Sequence, residues 1–554
     1  MEIKINDKTF EVEANKTILE VALANNIKIP TLCFLKEINE IGSCRICVVE
    51  VKKTGSLVAS CVTKVVDGME IYTDSPRVIA SRKQTLKLIL ENHNYDCENC
   101  PKNGKCDLQR LVKEYNIEVK SNSKVSLSEE NNAIIRDNSK CILCNRCVAV
   151  CTKIQGLGVI GRNDRGLDTT IGCEFNKPLS ESICVKCGQC VKVCPTGALT
   201  VKSDLLSVKK LLKDKKVHKI VALAPAVRTS LGEEFGLNEN VLGKTVTALK
   251  KLGFDRVFDV NLTADLTIME EANELMKRLK KQENLPLFTS CCPAWVKFIK
   301  DNYPELRANL STSKSPQQMF GAVMKTYYAL KNNIEVNNIK VVTIMPCTAK
   351  KDERLMDQNI DAVLTTSELA QLIKESSIKF EELEDTQCDP LFGEGHSVIF
   401  GTSGGVMETA LRTAKEIMEN KKSPNIDFHE VRGLKGIKEA TYEINGQLLN
   451  VAVVSGLINA REIIKSLKNN NCNYHFIEVM SCPGGCINGG GQPYNNFDSV
   501  LTRSKILYEL DQQDLKRRAH ENDTIKEMYA DYFGCPGSEK AEKILHVNHL
   551  IDKK

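Results

Sequence analysis

The sequence predicts a multidomain α/β chain: small cysteine-rich modules in its first two hundred residues, then one large α/β domain. Three observations predict it. At 554 residues the chain is too long for a single hydrophobic core. Sixteen of its 24 cysteines fall in the first 200 residues, mostly in C-x2-C spacing. After residue 205, β-prone runs such as HKIVALAP, RVFDVN, VVTIMP, SVIFGT and LNVAVVSG alternate with amphipathic helical stretches, the pattern of largely parallel sheets. About 320 residues is large for one layer, so two lobes facing a cleft are expected.

The N-terminus, MEIKINDKTFEVEANKTILEVALANN, predicts two alternating strands turning at Asn6-Asp7 and a helix from Thr17. This is the lead-in of a β-grasp domain over residues 1–78. Cys33, Cys44, Cys47 and Cys61 follow as C-x10-C-x2-C-x13-C. That spacing resembles the plant-type ferredoxin fold with a longer first gap, as in the electron-entry domains of hydrogenases and complex I, and implies a [2Fe–2S] cluster. Four cysteines also suit zinc; the β-grasp lead-in and Gly42 ahead of Cys44 favour iron.

Residues 79–125 carry His93, Cys97, Cys100 and Cys106 as H-x3-C-x2-C-x5-C on a helical background. The set suits tetrahedral zinc, but more closely resembles a [4Fe–4S] module with one histidine and three cysteines from the same two families. Tyr115 to Ser139 is polar and reads as a linker. Residues 126–206 contain a repeat. CILCNRCVAVC (Cys141–Cys151) recurs as CVKCGQCVKVC (Cys184–Cys194), the two-cluster bacterial ferredoxin run whose fourth cysteine ligates the other cluster. One [4Fe–4S] cluster then takes Cys141, Cys144, Cys147 and Cys194. The other takes Cys184, Cys187, Cys190 and Cys151. Cys173 stands outside both runs and reads as a small buried apolar residue.

In residues 207–554 three loops share one grammar, a strand-like run and then cysteine with a proline beside it, and the third adds five glycines. They are TSCCPAW (Thr289–Trp295), MPCTAKKDE (Met345–Glu353) and EVMSCPGGCINGGGQP (Glu478–Pro493). So many glycines exclude a regular helix or strand and suit a loop wrapped round something bulky. The loops offer Cys291, Cys292, Cys347, Cys482 and Cys486, one thiolate more than a cubane needs. The final fifty residues read as helices and a lysine-bearing tail.

These motifs, in this order, resemble those of the [FeFe]-hydrogenases, and the N-terminal modules match the large clostridial type. The resemblance implies an H-cluster, a cubane on Cys292, Cys347, Cys482 and Cys486. Cys486 would bridge to a diiron subsite with carbon monoxide, cyanide and a dithiolate. It implies Cys291 as a proton relay, continued by Glu271, Ser311 and Glu274 and ending near Arg278. The charged three stand at i, i+3 and i+7 on one helix face, where an ordinary solvated stripe is the bland alternative. Lys350 matches a donor to cyanide. Ala224, Pro225, Ala226, Gln317, Met345, Phe400 and Met480 match groups around the subsite. Ala294 stands where the motif TSCCPGW has glycine. The implied activity is reversible 2 H⁺ + 2 e⁻ = H2 with soluble ferredoxin or flavodoxin, and maturation enzymes are the implied partners that insert the diiron subsite. A hydrogen sensor and an electron-entry subunit of a larger complex are the alternatives.

A net charge of +5 does not argue for nucleic acid. No apolar run approaches a membrane span, and the N-terminus has no signal-peptide core, so a cytoplasmic protein is expected. GTSGGV (Gly401–Val406) is too unlike a nucleotide-binding fingerprint to count as one.

Overall fold

The structure, a computed structural model, describes residues 1–119, 128–389, 395–494 and 497–551. It divides into two compact units: residues 1–153 with 158–182 and 193–200, and residues 154–157 with 183–192 and 201–554.

In the first unit, five strands form a sheet in the order Lys8–Glu11, Glu2–Ile5, Glu70–Tyr72, Val48–Val51, Ser56–Ala59. The helix Ile18–Ala24 packs on it. Its start is fixed by a capping box: the Thr17 hydroxyl accepts from the Glu20 N–H, and the Glu20 carboxylate accepts from the Thr17 N–H. The helix Pro76–Glu91 follows, entered by proline at its first turn. Its Leu86 and Leu90 pack with Leu108 and Leu111 of the helix Asp107–Glu114. The predicted linker contains a short hairpin. Glu129–Glu130 and Ile134–Arg136 pair antiparallel, held by Arg136, whose guanidinium pairs with Glu129 at 2.6 Å. A polar run hides such a hairpin because its buried anchor is an arginine. Residues 120–127 of that stretch, and 552–554 of the predicted tail, lie outside the described residues.

The second unit holds two four-stranded sheets. One is fully parallel, in the order Arg256–Asp259, His218–Leu223, Ile339–Met345, Ala362–Thr365. The other runs Leu287–Phe288, Phe476–Met480, Gln447–Ser455, Ile437–Ile444. Its first three strands are parallel, and its last pairs antiparallel through a hairpin. Phe476–Met480 alternates as predicted: Ile477 and Val479 face one core, Phe476 and Met480 the other.

SVIFGT, predicted as a strand, is instead a 3₁₀ turn over Val398–Gly401. A short apolar run suits a buried strand or a buried turn equally. Here Val398 and Ile399 pack into a cluster with Ala226 and Leu507 instead of pairing with a sheet. Among the described residues no helix is long and apolar enough to cross a membrane.

Candidate active site

Four loops leave the C-terminal ends of parallel strands in both sheets of the second unit: after Leu223, Phe288, Met345 and Met480. In α/β sheets this is where ligands bind. The loops line one pocket enclosing about 710 Å3. Cys292, Cys347, Cys482 and Cys486 all reach it from three segments far apart in sequence. Burial pushes all four thiols up, Cys347 to about 11 with the Cys292 thiol adding to the effect of burial. Thiols this crowded and dry resist ionisation unless a cationic group takes the charge. The surface exposure left to Cys292 and Cys347 is exposure to the pocket, which both line.

The glycines of the third loop are required by close approach. A Cβ on Gly489 would stand 2.1 Å from the Pro346 carbonyl oxygen, and one on Gly490 would stand 2.2 Å from that of Cys187. The loop thus lies backbone to backbone against the Cys347 loop and the 183–192 segment.

The remaining wall is as expected from the sequence. Ala224, Pro225, Ala226, Met345, Phe400 and Met480 make it apolar. Gln317 lines it too, but both its amide hydrogens are committed, to the Lys350 carbonyl and Glu353 Oε2, each at 3.0 Å. Lys350 Nζ donates to Glu353 Oε1 and Oε2 at 3.0 and 2.8 Å and to the Cys291 carbonyl at 3.1 Å. Burial alone would discharge this ammonium; Glu353 reverses that and holds its pKa up. Glu353 was not singled out from sequence, although its place three residues after Lys350 on a helix is a legible signal.

Cys291 also lines the pocket. Burial first, then the Glu271 carboxyl, keep its thiol protonated. Glu271 is buried, and burial followed by the neighbouring Glu274 raises its pKa to about 8. Its Oε2 is buried without a hydrogen-bond partner. Ser311 interacts with Glu271 and donates to Glu274 Oε2 at 2.9 Å. Glu274 Oε1 in turn accepts from Arg278 at 2.5 Å. The predicted helix face is therefore not a solvated stripe, for the Glu274 and Arg278 side chains are only 12% and 11% exposed.

In the first unit, Cys33, Cys47 and Cys61 are buried, and Cys44 donates its N–H to Cys33 Sγ at 3.5 Å. His93, Cys97, Cys100 and Cys106 line one cavity of about 300 Å3. Burial pulls His93 to about 4, so its ring is neutral, and Nδ1 is buried with no partner. A neutral imidazole with an unspent lone pair fits a metal ligand. Cys141, Cys144, Cys147 and Cys194 line a second cavity of about 400 Å3, so the crossover cysteine does reach the other run. Cys151 lies in the first unit, and Cys184, Cys187 and Cys190 lie in the second. Cys173 is buried, as expected, whereas Cys535 is exposed. Among the described residues no three such side chains close on a single ion; the thiols stand around open space, as cluster ligands would.

Sequence comparison agrees with this geometry. Residues 217–490 match the iron only hydrogenase large subunit, C-terminal domain. Residues 1–76 match a 2Fe-2S iron-sulfur cluster binding domain, 82–120 an NADH-ubiquinone oxidoreductase-G iron-sulfur binding region, and 132–200 an NADH-quinone oxidoreductase subunit 3 ferredoxin-like domain. Residues 497–550 match the iron hydrogenase small subunit. Iron hydrogenase 1 of Clostridium pasteurianum is 44% identical over 99% of both chains. The NADP-reducing hydrogenase subunit HndD of Solidesulfovibrio fructosivorans is 42% identical over 99% of this chain and 98% of its own. An apo [FeFe]-hydrogenase HydA1 variant from Chlamydomonas reinhardtii superposes with a TM-score of 0.57 at 37% identity, covering 62% of this chain and 98% of that one. With its cysteine-lined pocket and near full-length relatives, the chain belongs to the [FeFe]-hydrogenase family.

Proposed function

We propose that this chain interconverts two protons and two electrons with H2 at the Cys292–Cys347–Cys482–Cys486 pocket, exchanging electrons with a soluble ferredoxin or flavodoxin. The observation that carries this reading is the convergence of those four thiols beside a fifth, Cys291, that abuts a buried chain of proton-bearing groups. When bound, the H-cluster supplies the two-electron redox chemistry and the site of heterolytic H2 formation. The four cysteines would hold its cubane, Cys486 being the thiolate assigned to the diiron subsite. Lys350, on releasing one of its two bonds to Glu353, would offer its ammonium to a cyanide ligand, and the apolar wall of Met345, Phe400 and Met480 would keep water out.

The proton steps belong to the chain. Cys291 Sγ gives its proton to the pocket and is recharged by Glu271. At about pH 8 and below Glu271 is a carboxylic acid, so it is a donor at neutral pH. Ser311 then passes its own proton to Glu271 while taking one on Oγ from Glu274, and Arg278 marks the outer end. A hydroxyl suits the middle position because it accepts and donates at one atom. In the N-terminal modules Cys33, Cys44, Cys47 and Cys61 hold a [2Fe–2S] cluster. His93, Cys97, Cys100 and Cys106 hold a [4Fe–4S] cluster, and the two ferredoxin runs hold two more. Maturation enzymes are the partners that deliver the diiron subsite.

A one-electron carrier is favoured over a nucleotide by an observation at GTSGGV. The helix it starts, Gly405–Glu419, is already capped by an anion. Glu478 accepts from the Gly404 and Met407 N–H groups, each at 2.7 Å, where a pyrophosphate would have to bind.

Infrared spectroscopy of the maturated protein, paired with hydrogen evolution from reduced ferredoxin or NADPH, tests the reading. Carbonyl and cyanide bands with ferredoxin-driven turnover are expected. Bands without turnover would favour a sensor. Their absence after maturation would leave only an electron relay.

A further inference from the structure

The proton relay proposed above is split between two elements that share no strand or helix. Glu271, Glu274 and Arg278 ride on the helix Asn261–Lys281, and Ser311 on the segment that follows Leu310. A hydrogen-bond relay needs their spacing held to fractions of an ångström. What holds it comes from the other end of the chain.

The residues after the helix Glu539–Leu545 run alongside 311–314. Lys314 N–H donates to the Leu545 carbonyl at 2.9 Å and Val547 N–H to that of Thr312 at 2.8 Å, with Ser313 and His546 paired as an antiparallel bridge. The His546 imidazole uses both nitrogens. Nδ1 meets Thr312 Oγ1 at 2.8 Å, and Nε2 meets Glu270 Oε2 at 3.0 Å. Glu270 is the helix residue beside Glu271. It is fully buried and also accepts from the Tyr529 hydroxyl at 2.6 Å and the Gly537 N–H at 2.8 Å. A carboxylate accepts, so Nε2 carries the imidazole proton and Nδ1 accepts from the Thr312 hydroxyl. One planar ring thus spans the relay's two elements. A second clamp lies three residues on: buried His549 Nε2 donates to the Ser311 carbonyl at 2.9 Å. Thr312 N–H completes the frame by donating to Glu274 Oε2 at 3.0 Å.

We propose that His546, backed by His549, is a positioning residue for proton transfer, and that the C-terminal segment is the strap that sets the distance from Ser311 to Glu271 and Glu274. His546 touches neither substrate nor cluster. It acts through Ser311, so the inference rests on the relay assigned above.

The test is a mutant cycle in the full-length, maturated enzyme: His546→Ala, Thr312→Val and Ser311→Ala, alone and in pairs with Ser311→Ala. Thr312→Val keeps the side chain's shape and removes only the bond to Nδ1. His546→Ala and Thr312→Val should each slow hydrogen evolution about tenfold or more, with carbonyl and cyanide bands unmoved. In the Ser311→Ala background that factor should shrink towards one, because groups acting as a unit are non-additive. Before insertion of the diiron subsite, amide exchange in His546→Ala should quicken at Thr312 and Lys314 but not in the Phe476–Met480 strand. Wild-type turnover in both variants, or losses that persist undiminished without the Ser311 hydroxyl, would overturn the positioning role while leaving the relay intact. Undiminished turnover in Ser311→Ala alone would overturn the relay itself. If His546→Ala does not fold, Thr312→Val decides by the same criteria.

Discussion

Lys350→Met isolates the energetics of the active-site wall. In the wild-type protein the Lys350 ammonium contacts both Glu353 oxygens within 3.0 Å, in a site where both side chains are nearly sealed, 11% and 3% exposed. Methionine keeps the volume and removes the charge, leaving Glu353 with two neutral side-chain donors, the Gln317 amide at 3.0 Å and the Ser315 hydroxyl. Breaking a buried pair in this way costs ~3–5 kcal/mol, because the survivor is an uncompensated charge. The cost has a pH signature. Burial already pushes Glu353 above the ordinary carboxylate value, with Lys350 pulling against it. Without Lys350 the folded-state pKa climbs further. A group whose folded pKa exceeds its unfolded value, about 4.3 for glutamate, leaves stability intact below that value and loses it as pH rises. The loss grows by about 1.4 kcal/mol for each pH unit above the unfolded value until the folded carboxyl ionises. Urea unfolding can be read from Trp295, the single tryptophan, which is fully buried and shares a core with Ala349 beside Lys350. Lys350→Met should lose little at pH 5 and nearly the full amount by pH 8. Adding Glu353→Gln should flatten the pH dependence and recover most of the loss. An equal penalty at pH 5 and 8, or a further loss on adding Glu353→Gln, would refute the buried-pair argument.

Three further outcomes follow from the same geometry. Glu274→Gln should cut hydrogen evolution by about 10²-fold, the low end for losing a proton-transfer group, with the iron carbonyl and cyanide bands unchanged; unaltered turnover would remove Glu274 from the path. The Glu271 acid, raised to about 8, should lose its carbonyl stretch as pH rises through that value. The midpoint should fall in Glu274→Gln, where a neighbouring negative charge is gone, and a fixed midpoint would contradict that coupling. Gly490→Ala would drive a methyl to 2.2 Å from the Cys187 oxygen and 2.6 Å from Gly188 Cα, backbone that cannot swing aside. It should cost ~1–3 kcal/mol and lower the iron bound per chain, and full iron content with wild-type stability would show that the contact is soft.

The cysteine sets were legible because cluster ligands sit at short, fixed spacings, or at strand ends punctuated by proline and glycine. Cys141, Cys144, Cys147 and Cys194 line one cavity as the repeat requires. Strands were legible where alternation was long, as in Phe476–Met480, and not where four apolar residues stood alone, as in Val398–Gly401. The relay carboxylates were visible as a helix face, but their burial was not, since a charged stripe looks the same whether it meets solvent or a neighbour. Glu353 escaped notice inside a run of charges. His546 could not be found at all: its partner Thr312 is 234 residues away, and nothing local distinguishes an imidazole that spans two elements from one on the surface.

The Lys350–Cys291 contact ties the proposed proton path to the cysteine-lined pocket. Lys350 lies three residues after Cys347, on the short helix Ala349–Glu353, and donates to the carbonyl of Cys291. The loop that presents the relay thiol is thus fastened, by one ammonium, to the loop that presents a cluster ligand. The Ser311 segment is fastened separately, by His546 through Thr312 and Glu270, to the helix that carries Glu271. The thiol and the first carboxyl meet where these two frames join, and no hydrogen bond between them is recorded; Glu271 Oε2 is left buried and unpaired on the same carboxyl. An unspent acceptor in a dry site costs free energy that packing elsewhere must offset, which makes it a poor structural device. It is a sound functional one, because a relay step requires a carboxyl oxygen free to exchange a proton with the thiol. The proposed relay therefore has two fastened halves that meet at Cys291. Tightening that joint with a permanent partner for Glu271 Oε2 should slow turnover even as it raises stability.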